Sequence, residues 1–132
     1  MNDVNDLAIV AAAVGVVVLS TVYYIAFGKQ LATLHPAYAD ASNTQPPPWK
    51  VAVELLRTLV VGSVIAALAA DLDVTDWTGG VALGLALWIG FPVVLWTGAV
   101  MWEKIPLKLA AIHAGDWLLK VMVIAVVVTV WQ

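Results

Sequence analysis

Charge is almost absent from four long stretches of this chain, and that constrains its fold more than any other feature. Leu7–Phe27 and Gly79–Met101 carry no Asp, Glu, Lys or Arg, and Val51–Ala70 and Leu107–Trp131 carry few. Each stretch meets the length of about 20 residues that a helix needs to cross a hydrocarbon core of about 30 Å. Inside hydrocarbon, every backbone N–H and C=O must find its partner within the element or a closed barrel. Long apolar runs without strand-like alternation satisfy that rule as helices. The expected fold class is therefore all-α: an integral-membrane four-helix bundle forming a single transmembrane domain over residues 1–132.

Composition agrees. Apolar residues make up 63% of the chain and charged residues 11%, against roughly half and a quarter in soluble domains. With no cysteine, disulfides, thiolate zinc sites and cysteine nucleophiles are excluded. The net charge of −3 and the scattered basic residues give no electrostatic footprint for nucleic acid.

Local signals place the helices near 7–34, 50–70, 79–101 and 107–131, with a Pro-rich loop over 36–49. The N-terminus has Asp3 and Asp6 but no basic residue, unlike the basic n-region of a signal peptide, so the first helix is read as retained. Pro36 should stop that helix, since proline lacks an N–H and disfavours helix in the residue before it. The Pro46-Pro47-Pro48 run is expected to be extended. Thr75 or Asp76 suits the N-cap of the third helix, and Pro106 the first position of the fourth. Pro92, near the middle of the third helix, should bend it. Gly80 and Gly84 form a GxxxG that permits close helix packing.

Basic residues flanking the spans set orientation. Lys29, Lys50, Lys104 and Lys108 all lie in the loops after the first and third helices, and the termini and the acidic Asp71–Asp76 turn have none. The expected arrangement is N-out/C-out, multi-pass, in a bacterial inner (plasma) membrane, with the Pro-rich loop cytoplasmic. Trp49, Trp77, Trp102 and Trp131 fall near the interfaces as an aromatic belt. Trp88, Trp96 and Trp117 lie deeper, as packing residues or as a ligand wall.

Five ionisable residues interrupt the spans: Glu54, Arg57, His113, Asp116 and Lys120. Insertion scales put Asp, Lys or Arg at a helix centre at about 2.5–3.5 kcal/mol, and ionisable groups inside spans face protein or water. At ~1.5 Å per residue, Glu54 and His113 lie ~6 and ~9 Å deep, and Arg57 and Asp116 ~10 and ~13 Å deep. Asp116 and Lys120 have the favoured i,i+4 order for an ion pair, and His113 shares their stripe. Matching depth and opposite sign predict that the second and fourth helices are neighbours and that Arg57 meets Asp116. Lys120 has the alternative of snorkelling outward. The cluster reads either as a structural charge network or as a proton or ion relay.

The chain holds no nucleophile–base motif, phosphate loop or metal-ligand pair. It is therefore expected to be no enzyme, without catalytic residues, metal or cofactor. The reading is a lipid-embedded protein, self-associating as a homo-oligomer. A small proton- or ion-coupled transporter or channel is one alternative, and an accessory subunit beside a membrane-protein partner is the other.

Three segments also carry a family resemblance: Tyr23-Tyr24-Ile25-Ala26-Phe27-Gly28-Lys29, Gly84-Leu85-Ala86-Leu87-Trp88-Ile89-Gly90-Phe91, and Pro106-Leu107-Lys108-Leu109 with Ala114-Gly115. In this order and at these separations the chain resembles the domain of unknown function 1761 family, small bacterial four-span membrane proteins. The resemblance implies fold and membrane location, and no activity.

Overall fold

A computed structural model describes residues 4–38 and 47–132. Six α-helices make up the described chain: α1 (Asp6–Ala26), α2 (Gly28–Leu34), α3 (Pro48–Asp71), α4 (Trp77–Trp88), α5 (Val94–Trp102) and α6 (Leu107–Val130). A 3-10 turn, Pro36–Tyr38, follows α2, and a π-helical turn, Ile89–Val93, joins α4 to α5. Four helical stretches are long and apolar enough to cross a membrane: Asp6–Ala26, Pro48–Asp71, Trp77–Trp102 and Leu107–Val130. The protein is thus an all-helical, four-span membrane protein.

Several boundaries differ from those expected. The first helix does not run unbroken to residue 34. It ends at Ala26, turns at Phe27 and resumes as the short α2. Two hydrogen bonds bridge the break: the Phe27 N–H donates to Tyr23 O, and the Leu31 N–H to Phe27 O. Pro47 is extended, but Pro48 is the first residue of α3, where its missing N–H would have had no helical partner anyway. Pro106 has extended backbone and is the N-cap of α6, not its first helical residue. Most of the expected Pro-rich loop, residues 39–46, lies outside the described residues.

The helix ends have local causes. Asn5 caps α1, its side-chain oxygen accepting from the N–H groups of Leu7 and Ala8. Asp76 caps α4 through the Gly79 N–H at 3.1 Å. α3 closes with Asp73 in the left-handed region at φ 54°; the Asp73 N–H donates to Ala70 O and the Val74 N–H to Ala69 O, the paired bonds of a Schellman ending. Pro92 sits within the π-helical turn, a local departure from the α-helical ladder that a proline without an N–H cannot complete.

α6 is the centre of the bundle. It packs against α1, α3 and α4–α5, and α1 also packs against α3. The second and third spans do not pack against each other along their length. The GxxxG glycines serve the α4–α6 contact within one chain. A Cβ on Gly80 would stand 2.5 Å from Thr129 Oγ1 and 3.1 Å from the Ala125 carbonyl, and one on Gly84 would stand 3.2 Å from Met122 Sδ.

Two apolar layers sit on α6. One joins Ile9, Ala12 and Val16 to Ile65 and Ala66 and to Val121, Ile124, Ala125 and Val128. The other, nearer the start of α6, joins Leu31 to Leu109 and Ile112. His113, Asp116 and Lys120 occupy the stretch of α6 between them, so the fold seals a polar layer between two apolar ones.

Candidate functional site

Asp116 anchors the polar layer. It is 1% exposed, and both its oxygens are engaged. Oδ1 accepts from the Ser20 hydroxyl at 2.6 Å, and Oδ2 pairs with Lys120 Nζ at 2.9 Å. Lys120 is itself buried, with Glu54 Oε2 at 3.8 Å and its ammonium 4.7 Å from the Trp117 ring centroid. Helical geometry explains the pairing. Residues four apart are neighbours on one face, and α-helical side chains lean toward the N-terminus, so Lys120 is directed back onto Asp116.

The expected Arg57–Asp116 contact is therefore corrected. The second and fourth spans are neighbours, as depth and charge predicted. However, Asp116 takes its counter-charge from its own helix, and Arg57 pairs with Glu54 on its own helix. A partner one turn away is already held in place by the helix, whereas a partner on another span must be brought there by packing. Lys120 does not snorkel outward, because Asp116, Glu54 and the Trp117 face hold it inside. Arg57 is the outward-facing member, its side chain 57% exposed.

His113 lies one turn from Asp116 toward the start of α6 and has partners of its own. Its Nδ1 faces the Tyr24 hydroxyl at 2.6 Å, and its Nε2 lies 3.5 Å from the Tyr38 hydroxyl. The Trp96 ring stacks on it, with centroids 4.7 Å apart and planes at 16°. Tyr38 lies outside the spans; burial raises the pKa of its phenol above the ordinary 10.0, and the negative charge of Asp116 adds to the shift. Two further ties lock α6. The Tyr23 hydroxyl donates to the Ile112 carbonyl, and the Trp88 indole N–H donates to the Ala114 carbonyl at 2.8 Å. Gly115 makes room for the first, since a Cβ there would stand 2.5 Å from the Tyr23 hydroxyl.

The geometry thus adds Ser20, Tyr23, Tyr24, Tyr38, Trp96 and Trp117 to the five residues read from sequence. Tyr23 and Tyr24, near the end of the first span, also suit the plainer role of interfacial anchors. Ser20 carried a signal: it lies three and four residues before the two tyrosines, so all three share one stripe of α1.

Chemically, the layer holds paired charges and phenol–imidazole hydrogen bonds. Among the described residues, every buried side-chain nitrogen or oxygen has a hydrogen-bond partner, and no three His, Asp or Glu side chains converge to hold a metal ion. A cleft of about 10 Å³ borders Glu54, Arg57 and Lys120, room for about one water molecule.

Three spans gathered round a central fourth, with a sealed ionic layer at mid-helix, define a class: a small polytopic membrane protein with a buried polar network. Within that class, the family model described as "Protein of unknown function (DUF1761)" matches residues 7–129, and the chain belongs to that family. No curated protein and no solved structure matches the chain.

Proposed function

We propose that the polar layer is an internal clamp in a non-catalytic inner-membrane protein with both termini outside the cytoplasm. The carrying observation is the complete internal pairing of Asp116 by Ser20 and Lys120. A relay across the membrane needs exchangeable groups or water on both sides of such an acid. Beyond Lys120 the buried residues of α6 are Val121, Ile124, Ala125, Val128 and Thr129; the one hydroxyl among them, on Thr129, donates to the Val126 carbonyl of its own helix, and the four residues between it and Lys120 in that set are apolar. The clamp fixes which face of α6 meets α1 and α3, a use that buried polar groups serve even where their net stabilisation is small. Orientation rests on the lysines of the two loops. Self-association would use the outward apolar stripes of the first and third spans, such as Val14, Val18 and Val22 on α1.

One observation favours a second reading, a proton-coupled transporter or channel. Tyr38, His113 and Tyr24 form a string of exchangeable groups ending one turn from Asp116. Reconstitution into vesicles loaded with a pH-sensitive dye separates the two. The clamp predicts proton leakage equal to that of empty vesicles under an imposed potential. Leakage that disappears in Asp116→Asn and His113→Phe would establish the relay instead.

A further inference from the structure

The second and third spans both pack on α6 but diverge from each other. The gap between them is an apolar groove of about 810 Å³. Val64 and Leu68 of α3 form one wall, Phe91 and Leu95 the other, and Trp117 and Val121 of α6 the floor. Two indoles separate this groove from the polar layer: Trp96 with His113 behind it, and Trp117 with Lys120 behind it. Charge appears only toward the end of the groove nearest the start of α6. Glu103, just past the end of α5, lines the groove itself. Arg57 lies deeper, lining the small cleft that shares Val61 and Trp117 with the groove.

We propose that this groove is a binding site for one phospholipid whose head carries both a phosphate and an ammonium. Three features support that occupant. First, sixteen chain carbons, each given the ~30 Å³ share of a liquid water, need ~480 Å³, so the groove admits an acyl chain. Second, Arg57 is 57% exposed within a span, with Glu54 as its ion-pair partner. A guanidinium so placed is costly in hydrocarbon and has donors left for a phosphate. Third, the order of charges matches. Going outward from the chains, such a lipid presents phosphate and then ammonium, and the protein presents Arg57 at depth and then Glu103 at the span's end. A second copy of the chain is a poorer match. Its first span has no charged residue from Leu7 to Phe27, and the outward residues of its third span, such as Ile89 and Val94, are apolar. Neither offers counter-charges to Arg57 and Glu103.

The test is native mass spectrometry of the full-length protein, delipidated in detergent and titrated with dioleoyl phosphatidylethanolamine or dioleoyl phosphatidylglycerol. One phosphatidylethanolamine per protomer should bind, in preference to phosphatidylglycerol. Arg57→Gln should weaken it about tenfold, the loss expected for one charge-assisted hydrogen bond. Glu103→Gln should abolish the preference between the two lipids. Leu95→Trp fills the groove from a position 71% exposed, so it should keep the wild-type thermal midpoint and lose the bound lipid. Equal lipid retention by wild type and Leu95→Trp would overturn the proposal. So would equal affinity of the wild type for both lipids. Cross-linking of Leu95→Cys between protomers in native membranes would assign the groove to a second copy and overturn it as well.

Discussion

Asp116→Asn reads the polar layer most directly. The substitution keeps the side chain's shape and an oxygen for the Ser20 hydroxyl, but removes the charge that holds Lys120 at 2.9 Å. The Lys120 side chain is 10% exposed and its other carboxylate is 3.8 Å away, beyond a good hydrogen bond. Removing one partner of a buried pair typically costs about 3–5 kcal/mol. The Trp117 face, 4.7 Å from the ammonium, remains in place; a cation–π contact is worth about 0.5–2 kcal/mol, which argues for the lower end, about 3 kcal/mol. Lys120→Met should cost at least as much, since it strands a carboxylate that is 1% exposed. Asp116→Leu alone strands Lys120 in the same way and should cost at least as much as Asp116→Asn; combined with Lys120→Met it removes both desolvation penalties and should be nearly neutral, as such replacements often are, so the cycle is built from Asp116→Leu, Lys120→Met and their double. The cycle should therefore show coupling of about 3 kcal/mol or more, far above the ~0.3–0.5 kcal/mol scatter of independent sites. Unfolding titrations in mixed micelles, followed by circular dichroism, measure it. A solvated i,i+4 pair contributes about 0.3–0.5 kcal/mol, so coupling that small would refute the claim that burial makes this pair strong. Arg57→Leu is the control. It should cost little and add independently to Asp116→Asn; strong coupling there would restore the inter-helix pair that the geometry rejects.

Three further outcomes are expected. Gly80→Ile should lower stability by about 1–3 kcal/mol, the usual cost of overpacking, because Cβ meets Thr129 and the Ala125 carbonyl; Gly15→Ala, with nothing within 4 Å of the added carbon, should be neutral or slightly stabilising in the same melts. The Thr78 hydroxyl and then the Gly79 N–H hold Asp76 below its ordinary 3.8. Its contribution is therefore present above 3.8 and lost as pH falls through the lower folded-state value; wild type should lose stability on acidification in detergent by an amount missing from Asp76→Asn, and identical pH profiles would remove Asp76 from the account. A reporter active only in the cytoplasm should stay silent when fused at Gln132, and a strong signal there would invert the proposed orientation.

The four spans and the polar residues that interrupt them were legible in the linear chain, for a one-dimensional reason. Hydrocarbon demands about 20 apolar residues per helix, and any ionisable group inside such a run stands out against it. The Asp116–Lys120 spacing was legible too, because i,i+4 contacts follow from helix geometry alone. Partner choice across helices was not. Depth and sign made Arg57 a reasonable match for Asp116, yet neither quantity records the rotation of a helix about its axis. Only tertiary packing turned Arg57 outward, brought Ser20 to Asp116 and stacked Trp96 on His113. Ser20, Tyr24 and Trp96 carry no formal charge, so hydrocarbon penalises them too little to set them apart, and the stripe that Ser20 shares with Tyr24 does not say which helix it faces. Their role depends on where α6 sits among three other spans, and on a groove that exists because the second and third spans each pack on α6 and not on each other.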